Sequence, residues 1–443
     1  MTSLKAFFLE SLFGAITSGL TSNYITPFAL KIGAQSFHIG ILNSSSNFLS
    51  SIVQLISPEV TEVIKNRVKF IASSAVSMGI CFILVSITPF IFKKNSLIMF
   101  ILFISLITAI CGIATPPWAS LLSETVEKTK YGEYFAWRKK ILGLVGLVST
   151  FFGGFLLFVF DKQLNVPNKV IGFSILFFLA GICRFFSAYY QLQLKETLGD
   201  GLPTQKFNYF EFIRRFKESN FVKFMFFVVA INFGLFICKP FFSVYLLRDI
   251  GVEYSTFAII TTLGSIAGLF GLPIWGKLAD KFGNVRVIKI SAFFVPIIPV
   301  LWIVSKNIYY LMTVNAFTEY ILAGFGLCFS NFIFDATSKI VRTRCIAYFN
   351  FTNEIFVSGA CLLGGWLSGI LPPLFTNSKL LTLFFISGLF CSFAVFLLRN
   401  SFTEVRKTEQ IKDIEILGII TGVSSVLNLC NNAFIKQKKS DTS

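Results

Sequence analysis

Acidic, basic and amide side chains set inside long apolar runs are the residues of this sequence that could do chemistry. Lys239 is followed at once by Pro240, and Glu319 stands four residues after Asn315, on the same helical face. Arg184, Lys239 and Glu319 all fall within about 8 Å of the middle of their runs at a helical rise of about 1.5 Å per residue. A charge in hydrocarbon costs at least about 2.5 kcal/mol on insertion scales, so each demands a partner or a water-filled cavity. Glu319 could carry a proton, or neutralise Lys239 until a solute displaces it; a permanent structural ion pair is the competing reading. Asn43, Asn47, Ser50 and Gln54 follow three-to-four spacing and form one wet stripe on a helix, either as glue between helices or as ligand contacts. Asn23 and Tyr24, with Thr21 and Ser22, and Asn232 add polar groups to two other runs. Tyr24 or Trp118 could stack on a flat or cationic ligand, although both residue types are also ordinary at membrane interfaces.

The elements that must position these groups are membrane helices. Of 443 residues 54% are hydrophobic and 14% charged, with a mean hydropathy of +0.74, against roughly a quarter charged in soluble domains. A crossing takes about 20 apolar residues, and the chain reads as an all-α membrane protein with twelve transmembrane helices. The first six lie near Phe7 to Ile32, Phe37 to Ile56, Val68 to Phe92, Ser96 to Leu122, Ile141 to Phe160 and Asn168 to Leu194. The second six lie near Phe221 to Leu247, Tyr254 to Gly276, Val287 to Ser305, Ile308 to Phe334, Ala347 to Leu371 and Lys379 to Leu398. No small-residue cleavage site follows the first run, which reads as a span and not as a signal peptide.

The net charge of +17 follows from topology and does not predict nucleic-acid binding. About 29 Lys and Arg fall on the amino-terminal side of the membrane and about 8 on the other, which places both termini in the cytoplasm of a plasma or inner membrane. Most of the nine cysteines lie within spans without Cys-x-x-Cys spacing and read as packing residues, with no metal site. His38 reads as a solvated surface imidazole. There is no G-x-x-x-x-G-K-[ST] loop for direct ATP use, no constellation for an enzyme, and no cofactor is expected.

Shifting the sequence by 218 residues aligns Ile32-Gly33 with Ile250-Gly251, Pro58 with Gly276 and Glu62 with Asp280 without a gap. The chain therefore reads as two six-helix bundles, 1–194 and 221–398, joined by a cytoplasmic linker, 195–220, and followed by a tail, 399–443. Such repeats recur in secondary transporters that rock one half against the other. The linker pattern from Phe207 to Arg215 predicts an amphipathic surface helix.

The segment Gly276-Lys277-Leu278-Ala279-Asp280-Lys281-Phe282-Gly283-Asn284-Val285-Arg286 resembles the loop signature of the major facilitator superfamily, with Asn284 where a basic residue would continue it. Pro117-Trp118-Ala119-Ser120 and Gly132-Glu133-Tyr134-Phe135-Ala136-Trp137-Arg138 resemble permease-like members. The antiporter pattern of a fifth span survives only as Gly153-Gly154, with Ser149-Thr150 where Gly-Pro would stand. The resemblance implies that spans 1, 4, 7 and 10 line a cavity, which favours Lys239 and Glu319 and makes Arg184 structural. Pseudo-symmetry predicts Asp280 near Tyr134 and Arg138, and Glu62 near Arg342 and Arg344, as cytoplasmic latches; Gly276, Lys281, Gly283 and Arg286 complete that gate. The expected function is alternating-access transport of a small solute, coupled to protons, by a monomer in a lipid bilayer. An uncoupled facilitator and a non-transporting sensor on the same scaffold are the alternatives.

Overall fold

A computed structural model of the chain describes residues 3–64, 66–125, 131–160, 170–196, 209–214, 218–337, 342–375 and 378–405. The described residues are helical throughout, without a strand. Span 1 comprises Ser3–Thr21 and Ile25–Lys31; spans 2 to 6 are Ser36–Val63, Arg67–Ile91, Ser96–Thr125, Tyr131–Phe158 and Ile171–Gln191. A short helix, Tyr209–Arg214, precedes the second set. Span 7 comprises Asn220–Phe236 and Phe241–Val244, continued by a wider turn over Tyr245–Ile250. Span 8 is Tyr254–Phe282, and span 9 comprises Asn284–Phe294 and Ile297–Val304, parted at Pro296. Spans 10, 11 and 12 are Ile308–Ala336, Arg342–Ile370 and Lys379–Leu398.

Among the described residues ten helices are long and apolar enough to cross a membrane. The other two are span 1, broken at Ser22–Tyr24, and span 2, diluted by its polar stripe. Large apolar side chains such as Phe270 and Phe396 project outward, 75% and 80% exposed. A surface of this kind suits lipid and would associate in water.

Two bundles result. In the first, span 1 packs on spans 5 and 6, span 3 on 4 and 6, and span 2 on 4; in the second, span 10 packs on 8 and 9, span 7 on 11 and 12, and span 9 on 12. Span 2 runs against span 11 and span 5 against span 8, which joins the bundles.

The 218-residue repeat is visible in the backbone. Gly33 and Gly251 each end the first span of their half in a left-handed conformation, φ 97° and 78°, where a side chain would strain the turn. Spans 1 and 7 are both discontinuous, at Ser22–Tyr24 and Ile237–Pro240. Asn66 and Asn284, 218 apart, open the third span of each half. Asn66 caps its helix by accepting the Lys69 N–H at 2.8 Å, and Asn284 donates to Asp335 at 2.7 Å. Each third span also receives a carboxylate from just beyond the sixth. Glu196 accepts the Val68 N–H at 3.0 Å and pairs with Arg67 at 2.9 Å, while Glu404 accepts the Val285 N–H at 2.8 Å. Anions at helix amino termini are favoured by the unpaired N–H groups there.

Candidate translocation site

Two ends of the bundle frame the site: a linker end, where spans 6 and 7 are joined, and a far end, carrying Gly33 and Gly251. Spans 1 and 6 pack antiparallel in a register that three contacts fix. Thr17 donates to the Ala180 carbonyl at 3.4 Å. A Cβ on Gly14 would lie 3.9 Å from Arg184 Nη1, and Gln191 donates to Glu10 at 3.2 Å.

Glu10 is only 4% exposed, and neutral donors satisfy it: Ser11 Oγ at 2.5 Å, Trp118 Nε1 at 2.9 Å and Gln191. Arg138 donates to Ser11 at 2.5 Å and lies 5.1 Å over the Trp118 ring. This carboxylate was missed in the sequence because it stands near the start of the first apolar run, where an acid reads as interfacial. Arg184, on the next turn of the ladder, makes no hydrogen bond, ion pair or ring contact among the described residues, and its Nε is buried without a partner.

The expected latch between Asp280 and Arg138 is not formed. Arg138 is held inside its own half by Ser11 and Trp118, and Asp280 is exposed at the end of span 8. The signature loop instead ties its own half together. Gly283 turns with φ 91°, Asn284 is fully buried on Asp335 of span 10, and Glu404 reaches Val285 from beyond span 12. Lys281 lies 5.3 Å over the Phe282 ring, Arg286 is half-buried, and Gly276 faces Leu327. The side chains of Glu62, Tyr134 and Arg342 lie outside the described residues; Arg344 is buried.

In the second half Lys239 and Glu319 do not pair. Lys239 sits in the break of span 7 with its Nζ 5.3 Å over the Phe236 ring. Glu319 packs on the glycine face of span 8, where a Cβ on Gly264 would lie 3.1 Å from its Cγ. The two residues thus sit on different helix contacts. Glu319 makes no hydrogen bond or ion pair among the described residues. Asn315 ties to span 8, donating to the Ile260 carbonyl at 2.9 Å, which commits one of its two N–H groups. Asn232 donates to Asn353 of span 11 at 2.7 Å. Beside it stands Glu354, a half-buried acid that the sequence reading passed over although it lies inside the eleventh apolar run.

Tyr24 is not a cavity residue. It is fully buried, its hydroxyl donates to the Thr150 carbonyl at 2.5 Å, and its ring fills the space over Gly153 and Gly154. Its neighbours Ser22 and Asn23 are exposed and half-exposed. The stripe of span 2 divides among neighbours. Ser44 meets Ser358 of span 11 at 2.9 Å and Ser45 meets Ser105 of span 4 at 2.7 Å. Gln54 donates to Ser50 at 2.9 Å, Asn43 turns back to the Ile39 carbonyl at 2.9 Å, and Asn47 is half-exposed. His38, half-buried, accepts the Gln35 N–H at 3.0 Å. The described cysteines are free, and no group of three metal-ligating side chains occurs among the described residues.

The halves touch closely at the far end. A Cβ on Gly40 would fall 2.8 Å from Gly365 Cα, and one on Gly154 2.2 Å from the Ala258 Cβ. Arg248 donates to Ser36 at 2.8 Å, and Lys31 lies 5.6 Å over the Tyr254 ring. Outside this closure lies a vestibule of about 630 Å³ lined by Gln35, Arg248, Asp249, Lys306, Ser378 and Lys379.

The fold is that of a multi-pass helical membrane protein whose spans 1 and 7 are broken. Residues 224–435 match the family profile of the Major Facilitator Superfamily. The solved structure of a variant of nucleoside transporter NupG superposes with a TM-score of 0.69 at 14% identity, covering 90% of this chain and 100% of that one. A bacterial homologue of the human lysosomal transporter Spinster gives 0.65 at 15%, covering 92% and 98%, and a D-xylose-proton symporter 0.64 at 13%, covering 92% and 99%. No curated protein sequence matches the chain. The second half of the chain thus carries the sequence likeness to that superfamily, and the fold is similar to those of solved transporters over nine-tenths of its length.

Proposed function

We propose that the protein carries a small solute across a plasma or inner membrane by alternating access, its halves 1–194 and 221–398 rocking about the contacts of span 2 with 11 and span 5 with 8. On this reading the linker end faces the cytoplasm, as the distribution of Lys and Arg requires, and the far end faces outside and is closed. The observation that carries the reading is the nature of that closure. It is made of glycine backbones in contact and a few exchangeable hydrogen bonds, Ser44 with Ser358 and Arg248 with Ser36. Such contacts separate without tearing a core.

Glu319 is the group we assign to proton coupling. It is an acid on span 10 without a bonded partner among the described residues, beside a glycine face along which span 8 can shift. One protein of this fold is a proton symporter, which supports the assignment. Asp280, Lys281 and Arg286, with Arg138, would form the cytoplasmic gate in the opposite state, where Arg138 leaves Ser11.

Alternation is testable before the solute is known. In a cysteine-free background, Ser44→Cys and Ser358→Cys lock the far end on oxidation, and a cysteine at exposed Ser18 reports access. A membrane-impermeant maleimide should label Ser18→Cys from both faces of oriented vesicles when the lock is reduced, and from the linker face alone when it is oxidised. Labelling from one face in both redox states would overturn alternating access.

A further inference from the structure

The bare arginine of span 6 is placed to do more than pack. We propose that Arg184 is the anion-recognition residue of the translocation path and that the solute carries a carboxylate or phosphate group. The proposal rests on the transporter reading and narrows its substrate class.

Helix geometry shows where the guanidinium lies. On span 4, Ile98, Leu102 and Leu106 are exposed and apolar, the face turned to lipid. Cys111, Thr115 and Ala119 are also exposed, yet at 3.6 residues per turn Cys111 stands half a turn around the axis from Leu102. This second face, of small and polar residues, therefore opens on the interior of the bundle. Span 1 presents a matching face of Gly14, Ser18 and Ser22, of which Ser18 and Ser22 are exposed. The Arg184 head group lies on the side toward which a Gly14 side chain would project, and Cys111 and Glu10 are within its electrostatic reach. An arginine rooted in span 6 thus passes over a glycine toward the surface of spans 1 and 4.

Its hydrogen-bonding capacity is not used there. Glu10, the acid within reach, is bonded to Ser11, Trp118 and Gln191, and Arg184 has no bonded partner among the described residues. A cation kept bare at this depth is costly. A guanidinium is a planar fork matched to two oxygens of a carboxylate or phosphate. An incoming anion supplies the missing partner, and Gly14 keeps its place clear.

The test is thermal unfolding of the detergent-purified full chain with inorganic phosphate, with succinate, and with choline chloride at matched ionic strength. Wild type should be stabilised by one of the two anions and not by choline, and the stronger of the two identifies the group. Arg184→Gln should weaken the apparent affinity by about 10- to 100-fold, the loss of a charge-assisted pair, while Arg184→Lys keeps part of it. Gly14→Leu, which leaves every charge in place, should weaken it too and covers the case in which Arg184→Gln does not fold. No anion-dependent shift in wild type, or an equal shift in Arg184→Gln and Gly14→Leu, overturns the proposal. Two-sided labelling of Ser18→Cys with no anion effect would remove the anion and leave the transporter.

Discussion

The two halves of the molecule treat their buried charges in opposite ways. In the first half the acid is sated: Glu10 takes three hydrogen bonds from neutral donors, and the nearby cation Arg184 has no bonded partner among the described residues. In the second half the neutral donor turns elsewhere, since Asn315 donates to the Ile260 carbonyl, and among the described residues both the acid Glu319 and the cation Lys239 are without bonded partners. A formal inventory of mid-membrane charges would pair Lys239 with Glu319 and overlook Glu10. The lesson is that amides, hydroxyls and an indole decide which groups remain open to a new hydrogen bond, because a carboxylate already holding three donors has little room for another.

The contrast makes ordered predictions. Replacing Glu319 by Gln should abolish transport driven by an imposed pH gradient in proteoliposomes while leaving folded yield intact; undiminished gradient-driven uptake would remove Glu319 from coupling. Glu10→Ala should have the reverse phenotype. Stripping a buried carboxylate from Trp118, Gln191 and the nearby Arg138 costs about 3 to 5 kcal/mol, read as a large fall in thermal stability in detergent. Glu10→Gln should cost only about 1 to 3 kcal/mol, and equal losses for the two substitutions would mean that shape, not charge, matters at Glu10. Gly324→Ala should cost about 1 to 3 kcal/mol by overpacking, since a Cβ there would meet the Trp275 ring at 2.3 Å. Tyr24→Phe should cost about 1 kcal/mol, one hydrogen bond, and leave solute binding unchanged; an altered affinity would return Tyr24 to the cavity.

Much of the architecture was legible in the residues. The gapless shift of 218 predicted matched halves, and the left-handed glycines Gly33 and Gly251 and the asparagines Asn66 and Asn284 at the start of each third span carry that shift into the backbone. Pro240 after Lys239 predicted the break in span 7. Span 1 breaks at Ser22–Tyr24 without a proline inside the break, so the first half gave no comparable cue. The site was less legible for a physical reason. Helical spacing tells which side chains share a face, but not which neighbour that face meets. Thus Asn315 and Glu319 share a face as expected, yet one is bound and the other is not. Tyr24 looked like a ligand platform until the glycines of span 5 were seen to accept its ring. Arg184 was assigned to helix packing because span 6 is peripheral, and only the gap at Gly14 reveals how far its side chain extends inward.

The carboxylates Glu196 and Glu404 bear on how the protein is made. Each stands just beyond the sixth span of its half and seals the start of a helix synthesised roughly 120 residues earlier, a span that a ribosome elongates in about 6 to 24 seconds at 5 to 20 residues per second. Until that residue emerges, the Val68 or Val285 N–H at the start of the third helix lacks its acceptor. Its arrival closes the six helices as a hoop is closed by its clasp. The first hoop can be fastened before the second has been translated, so the nascent chain commits its halves in turn.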